Sequence, residues 1–489
     1  MTGRRNLIAI AAVVLAWAWV LQGGGGVPNA HYVLVKALAS GTAQIDRPLR
    51  ELGDFSTNDY TRFEGHAYSN KAPGLALLCL PAYVVLDAVG VRTTGDPARM
   101  LWALGLVGVV LPGSVLLVLA ARSASRLAGE DSALPAAVAL GAGTLILPYA
   151  TIFLSHVLSA LLVFAAFLVL WEERRGPPKL GLVASGGLLA GLAVTTEYPN
   201  ALAAAVLGVY ALLRGQLVAR AVAYGLGLLV GVLPLLAYNA WAFGSPFHSS
   251  YEGSGSLFGA PDLVTALQLL FSQNGLLVLT PVTALGVAGG VLAYRAGHRS
   301  EVLVVTVLSL SYVVLNAAYR APFGGFSPGT RHLLPIVPFA VVLGAVALRR
   351  LPLASYALGL VSVILMAVLT ATYALAGYDG QFFDRLTSRQ LTPSAASLVG
   401  VTGWWATLPF FGLLAVAVAL AARAGPRPTF SRSDWSLALA ALLAWALVAA
   451  TAPTGAESET YSGYWGVGLV ALAAATAAPV RSRTRAAPR

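Results

Sequence analysis

Charge is scarce in this chain. Asp, Glu, Lys and Arg make up 10% of its 489 residues, against about 25% in an average soluble protein. Such a chain cannot cover a soluble surface with charge, so an ordinary globular domain is excluded. Cysteine is nearly missing as well: the one residue, Cys79, lies inside an apolar run, which rules out an intramolecular disulfide and any Cys-rich metal site. Phosphate-binding Walker glycines, a Ser-His-Asp arrangement, HExxH and a dinucleotide fingerprint in a strand–helix context are all lacking. The net charge of +11 does not point to nucleic acid. The basic residues come in twos and threes between apolar runs, which is the pattern of helix-flanking anchors.

What is present is hydrophobic: 57% of the residues are apolar or aromatic, and the mean hydropathy is +0.76. These values describe an all-α, polytopic integral membrane protein. Apolar runs long enough to matter fall near residues 6–22, 73–90, 99–120, 133–150, 155–171, 180–196, 199–213 and 218–242. Others follow near 275–294, 301–319, 333–348, 353–375, 401–422, 435–452 and 463–480. The first, preceded by Arg4 and Arg5 and lacking a nearby small-x-small cleavage site, reads as an uncleaved transmembrane helix. No soluble domain is expected at either end.

Charge parity sets the orientation. If the run at 73–90 spans, the later basic loops fall on the wrong side. If it lies on or dips into the outer surface, 20 of the 31 Lys and Arg residues gather inside, as the positive-inside rule requires. The expectation is therefore about fourteen spans, both termini inside, and a non-spanning helix at 73–90.

The same assignment collects the polar residues without an evident structural task on the outer side. The stretch Asp59 to Pro81, DYTRFEGHAYSNKAPGLALLCLP, is the densest of them. The first outer loop holds Asp46, Glu51, Asp54, Asp59 and Glu64. Each is a candidate carboxylate base, Asp59 first because it opens the stretch that runs into GHAYSNK, and Asp46 next. Lys71 precedes an apolar segment at headgroup depth and can meet a phosphate there, as can Arg331 between a Gly/Pro-rich turn and a span. His156 and Glu197 are ionisable groups at the outer ends of short spans. His31, His66 and His156 could in principle share a divalent metal, though no ligand spacing supports it.

The order of these stretches resembles the polyprenyl- or dolichol-phosphate-sugar-dependent glycosyltransferases of the GT-C membrane fold, and looks closest to the bacterial branch of aminoarabinose and protein O-mannosyl transferases. The resemblance is carried by Asn29-Ala-His31-Tyr32, Asp46, Gly65-His66-Ala-Tyr68-Ser69-Asn70-Lys71-Ala72-Pro73-Gly74, Ser155-His156, Tyr238-Asn239, Phe243-Gly244-Ser245-Pro246 and Arg331-His332-Leu-Leu-Pro335. It implies a catalytic module over residues 1–350 with interfacial helices in its first outer loop, followed by C-terminal transmembrane helices over 351–489. It implies an inverting transfer, on the outer face of the cytoplasmic (inner) membrane, from a lipid-linked sugar donor to a glycan, lipid or protein acceptor. An outer-loop Asp would act as base. Lys71, Arg331, His66, Tyr68, His156, Glu197 and Asn239 would bind substrate or phosphate. No cofactor is required, although a divalent metal is compatible.

This sequence departs from the pattern in two places. Many relatives carry Asp or Asp-Glu soon after the first helix, where this chain has Pro28-Asn29-Ala30, and a second acid of relatives is replaced by Ser155-His156. The base must then be another acid. The competing readings are a transporter or flippase for a lipid-linked substrate, and an inactive relative that scaffolds envelope enzymes. A transporter would place ionisable groups or broken helices near mid-membrane, whereas this chain keeps its charges at the ends of its apolar runs.

Overall fold

A computed structural model describes residues 2–91, 97–252, 257–325, 327–375 and 381–452. The chain folds as a bundle of helices: α1 (Thr2–Trp19), α2 (Gly26–Ala39), α3 (Asp46–Leu52), α4 (Gly74–Ala88), α5 (Ala98–Ala128), α6 (Ala133–Gly143), α7 (His156–Arg175), α8 (Leu180–Thr196), α9 (Asn200–Leu212) and α10 (Leu217–Phe243). After a pair bent by 104°, Leu263–Leu279 and Pro281–Arg295, come α11 (Arg299–Ala318), α12 (Arg331–Arg350), α13 (Pro352–Ala371), α14 (Trp404–Ala424) and α15 (Arg432–Thr451). One antiparallel hairpin, β1 (Tyr60–Phe63) with β2 (His66–Ser69), interrupts the helices.

Among the described residues eight helices are long and apolar enough to cross a membrane, or nine if the bent pair counts as one. The difference from fourteen has a geometric cause. At about 1.5 Å per residue a helix of fewer than 18 residues falls short of a hydrocarbon layer of about 30 Å. The runs at 133–150, 180–196 and 199–213 make helices of that shorter kind, and in the run at 6–22 the apolar helix is Arg5–Trp19. The run at 275–294 is broken at Thr280-Pro281, and 463–480 lies outside the described residues.

The bundle has two chemically distinct ends. At one, Arg126 pairs with Glu172 at 2.8 Å, Arg214 with Glu173 at 3.1 Å, and Arg349 donates to the Ala128 carbonyl at 2.8 Å. These tie the C-termini of α5, α7 and α12 together. At the other end, Trp17 donates to Gly141 O, Trp102 to Ala18 O and Trp19 to Ala406 O, at 3.0, 2.9 and 2.7 Å. The C-terminus of α1 and the N-terminus of α5 therefore meet at the same end, so residues 20–97 leave and return on one side. That segment holds α2 to α4 and the hairpin, which gives the interfacial character expected of 73–90. A cysteine at Val89, an exposed residue, is expected to react with a membrane-impermeant maleimide added to intact cells. Labelling only after the cytoplasm is opened would place this helix end on the other side.

Close packing fixes the walls of the bundle. α8 and α10 cross where Gly187 and Gly191 face Gly227 and Gly231, a small-xxx-small contact on both partners. A Cβ at Gly231 would stand 2.7 Å from Leu192 N and 2.8 Å from Gly191 Cα. Thr195 adds a hydrogen bond of 2.8 Å to the Gly231 carbonyl. This contact aims the C-terminus of α8 toward the site. Gly231→Val is expected to destabilise the protein by about 1–3 kcal/mol or more, read as a lower midpoint of thermal unfolding in detergent.

Candidate active site

The site begins with the hairpin. Strand register pairs Tyr60 with Ser69 and Phe63 with His66. The turn residues Glu64 and Gly65 both have positive φ, 47° and 84°, as a two-residue turn of the I′ type demands. The residues just beyond the Tyr60–Ser69 pair, Asp59 and Asn70, then face each other. Asn70 donates to Asp59 Oδ1 at 2.6 Å, and Lys71 Nζ sits 2.8 Å from Asp59 Oδ2. Ser69 anchors this end by donating to the Ala30 carbonyl of α2 at 3.0 Å. The polar run of the sequence is thus a hairpin whose purpose, in geometry, is to hold an acid against a lysine.

A second group converges on it from three turns. Ser155, immediately before α7, donates to Glu197 Oε1, just after α8, and lies 3.4 Å from His31 Nε2 on α2. His156 Nδ1 is 3.7 Å from the same Glu197 oxygen. His332 meets His156 edge-on at 5.6 Å and Tyr319 at 5.7 Å. Arg331 follows a turn with positive φ at Gly324 and Gly329. Its guanidinium lies against Gly324, leaving no room for a Cβ there. Arg331 Nε is buried and has no hydrogen-bond partner among the described residues.

Electrostatics separates the two carboxylates. Burial pushes Asp59 up, but the Lys71 charge, the hydrogen bonds from Lys71 and Asn70, and Arg331 outweigh it and hold its carboxyl below the usual range. For Glu197 burial prevails over Ser155, Lys71 and Arg331, so its carboxyl stays above the usual range. Burial also lowers Lys71 against the pull of Asp59, with Arg331 acting in the same direction. Burial and the nearby Lys71 bring His31 down to about 3, so it is neutral at physiological pH.

A cavity of about 400 Å³ opens from this cluster. Its lining includes Lys71, Glu197 and His332, the tyrosines Tyr198, Tyr251 and Tyr319, and the apolar Leu202, Leu257, Phe258 and Leu315. Leu202 and Leu315 belong to α9 and α11, so the cavity brings charged groups together with apolar side chains of two helices.

Of the residues singled out in the sequence, Asp59, Lys71, His156, Glu197 and Arg331 come together. The others have contacts elsewhere. Asp46 accepts from Ala67 N at 3.2 Å and meets His66 Nδ1 at 3.4 Å, bracing the outside of the hairpin. Tyr68 is buried against Phe63 and Phe243, with ring centroids 6.4 and 5.1 Å away. Asn239 donates to the Pro246 carbonyl at 3.3 Å and fastens the loop after α10. Glu51 is bound to Lys36 and Arg47. Asn29, where relatives have an acid, donates to Phe55 O at 2.6 Å and accepts from Gly25 N, a bracing task an amide fits. Of the three histidines suggested for a metal, His31 and His156 flank Ser155 and Glu197, while His66 stands with Asp46. No group of three or more His, Cys, Asp or Glu side chains among the described residues is arranged to hold a metal ion. Sequence reasoning placed Tyr198 and Tyr251 on the outer face without a role, and missed Tyr319 and the hairpin. Tyrosines at membrane interfaces look alike whether they anchor or line a site, and Glu-Gly is not among the dipeptides that mark a two-residue hairpin.

No family model matches the chain, and no curated protein matches it in sequence. Solved structures do. It is similar to ArnT from Cupriavidus metallidurans bound to undecaprenyl phosphate, with a TM-score of 0.51 and 16% identity over 96% of this chain and 77% of that one. The apo state of the same protein gives 0.50 and 16% over 96% and 76%. The Archaeoglobus fulgidus oligosaccharyltransferase is more distant, at 0.44 and 13% over 96% and 64%. The likeness at this identity is one of architecture, and with the helix content and apolar spans it defines the chain as a polytopic helical membrane protein with the GT-C fold.

Proposed function

We propose that this protein is a membrane glycosyltransferase that moves a sugar from a polyprenyl-phosphate donor to an envelope acceptor. The observation that carries this reading is the shape and polarity of one cavity. Lys71 lines it, with Arg331 near enough to act on the charges of Lys71 and Asp59, and its apolar lining includes Leu202 of α9 and Leu315 of α11. A lipid phosphate has the same division. The phosphate would take the unpartnered Arg331 Nε and share Lys71 with Asp59, while the prenyl chain would leave toward the bilayer. The structurally similar ArnT is bound to undecaprenyl phosphate, a molecule of that class.

The reaction is an inverting displacement at the sugar's anomeric carbon. It needs cations to stabilise the departing phosphate and a carboxylate to take the acceptor's proton. Asp59 and Glu197 are the two carboxylates within the cluster. By the positive-inside rule the basic end of the bundle faces the cytoplasm, so the site faces outward from the inner membrane. Residues 1–350 would form the catalytic module, braced by the helices of 351–489. A transporter is less well supported: among the described residues the charged groups collect at helix ends, not midway along spans.

The test is turnover in proteoliposomes. Purified protein supplied with undecaprenyl phosphate carrying mannose, glucose or aminoarabinose should release undecaprenyl phosphate from at least one donor and bind the free lipid phosphate. Neither release nor binding would contradict the reading.

A further inference from the structure

We propose that Glu197, not Asp59, is the general base that takes the acceptor's proton. The inference rests on the glycosyltransferase reading above and assigns a role within its site.

A base needs an oxygen with a lone pair open to the substrate. Asp59 has both oxygens committed: Oδ1 accepts from Asn70 and Oδ2 is paired with Lys71. Its geometry suits holding the lysine for a phosphate. Glu197 differs. Its hydrogen-bonding and ionic contacts among the described residues fall on Oε1, from Ser155 and His156, and its side chain lines the cavity. Oε2 is therefore the oxygen open to a ligand.

The groups behind Glu197 explain how that orientation is kept. Ser155 donates its one proton to Glu197, so His31 Nε2, 3.4 Å from the same hydroxyl, must carry a proton and donate to it. His31 Nδ1 is then a bare acceptor, consistent with its being buried without a partner. His31 and Ser155 are positioning residues that turn one oxygen of Glu197 away and leave the other for chemistry.

The step balances. The acceptor O–H proton passes to Glu197 Oε2 as the acceptor oxygen forms its bond to the anomeric carbon. The bond from that carbon to the phosphate oxygen breaks, and its electron pair leaves on the lipid monophosphate, where Lys71 and Arg331 meet the charge. Glu197 then returns the proton to water.

The experiment uses the full chain in proteoliposomes with the undecaprenyl-phosphate-linked sugars above. Glu197→Gln should lower kcat by about 100-fold or more, the range of general-base catalysis, while its affinity for undecaprenyl phosphate and its monodispersity stay those of wild type. In Glu197→Ala, azide, which attacks without losing a proton, should restore donor cleavage and give a glycosyl azide of inverted configuration. Asp59→Asn should weaken undecaprenyl phosphate binding and gain nothing from azide. Ser155→Ala should lower kcat with KM unchanged, and Ser155→Thr should restore it. A Glu197→Gln enzyme with near-normal kcat, or azide rescue of Asp59→Asn in place of Glu197→Ala, would overturn the assignment. A wild-type protein that neither turns over nor binds the lipid phosphate would instead remove the glycosyltransferase reading itself, which needs no variant to recognise.

Discussion

Lys71→Ala is expected to lower sugar transfer by about 10²–10³-fold, the cost of removing one preorganised group at a developing charge, and to weaken undecaprenyl phosphate binding in parallel. Two features make the effect large. Lys71 is mostly buried, with 12% of its side chain exposed, so its charge acts in a medium of lower dielectric than bulk water. Arg331 is close enough to act on its charge, so in the proposed reaction the leaving phosphate would meet two cations. Asp59 is the reason a buried ammonium is tolerated there at all. With Lys71 gone, Asp59 loses the charge that holds its carboxyl low and can take up a proton, so the variant should remain folded. Size-exclusion chromatography together with transfer kinetics checks this: a monodisperse, inactive protein is the predicted result. Lys71→Arg should retain part of the activity, because the charge is kept while the 2.8 Å contact to Asp59 must be rebuilt.

Arg220→Ala is expected to destabilise the protein by about 3–5 kcal/mol, the usual cost of removing one partner from a buried ion pair. Glu173 has no exposed side-chain surface and Arg220 about 1%. The guanidinium holds both carboxylate oxygens, at 2.9 and 2.8 Å, and also donates to the Ala211 carbonyl at 2.5 Å. One side chain thereby joins the end of α7, the end of α9 and the start of α10. Arg214 remains near Glu173 after the change but serves the outer side of the pair. Thermal unfolding in detergent reads the loss. Replacing both partners, as Glu173→Leu with Arg220→Met, should cost much less than the single change, because no charge is then left buried alone. The pair lies at the opposite end of the bundle from Lys71, so kcat at a permissive temperature should change little.

Much of this architecture was legible in the chain because the bilayer enforces simple rules. Apolar length, scarce charge and the sidedness of Arg and Lys yielded a helical bundle with one polar face, and parity alone placed 73–90 beside the membrane. The chemistry was partly legible: Asp59 and Lys71 are close in sequence, and a hairpin turns that proximity into contact. Glu197, His156 and Arg331 were visible as ionisable groups at helix ends. Their convergence depends on the crossing of α8 with α10 and on the turn before α12, which no local pattern encodes. Asp46 and His66 show the reverse. They sit in the same polar stretch, yet strand pairing turns them to the outer side of the hairpin. Among the described residues eight or nine helices reach the length of a span, because several apolar runs have the composition of a membrane helix without its length.

The most direct test of the account is a structure of the protein with undecaprenyl phosphate in a lipid nanodisc. The account predicts density for the phosphate between Lys71 Nζ and the Arg331 guanidinium, with the prenyl chain running past Leu202 and Leu315 between α9 and α11. Phosphate density elsewhere, with Lys71 and Asp59 still closed on each other, would contradict it.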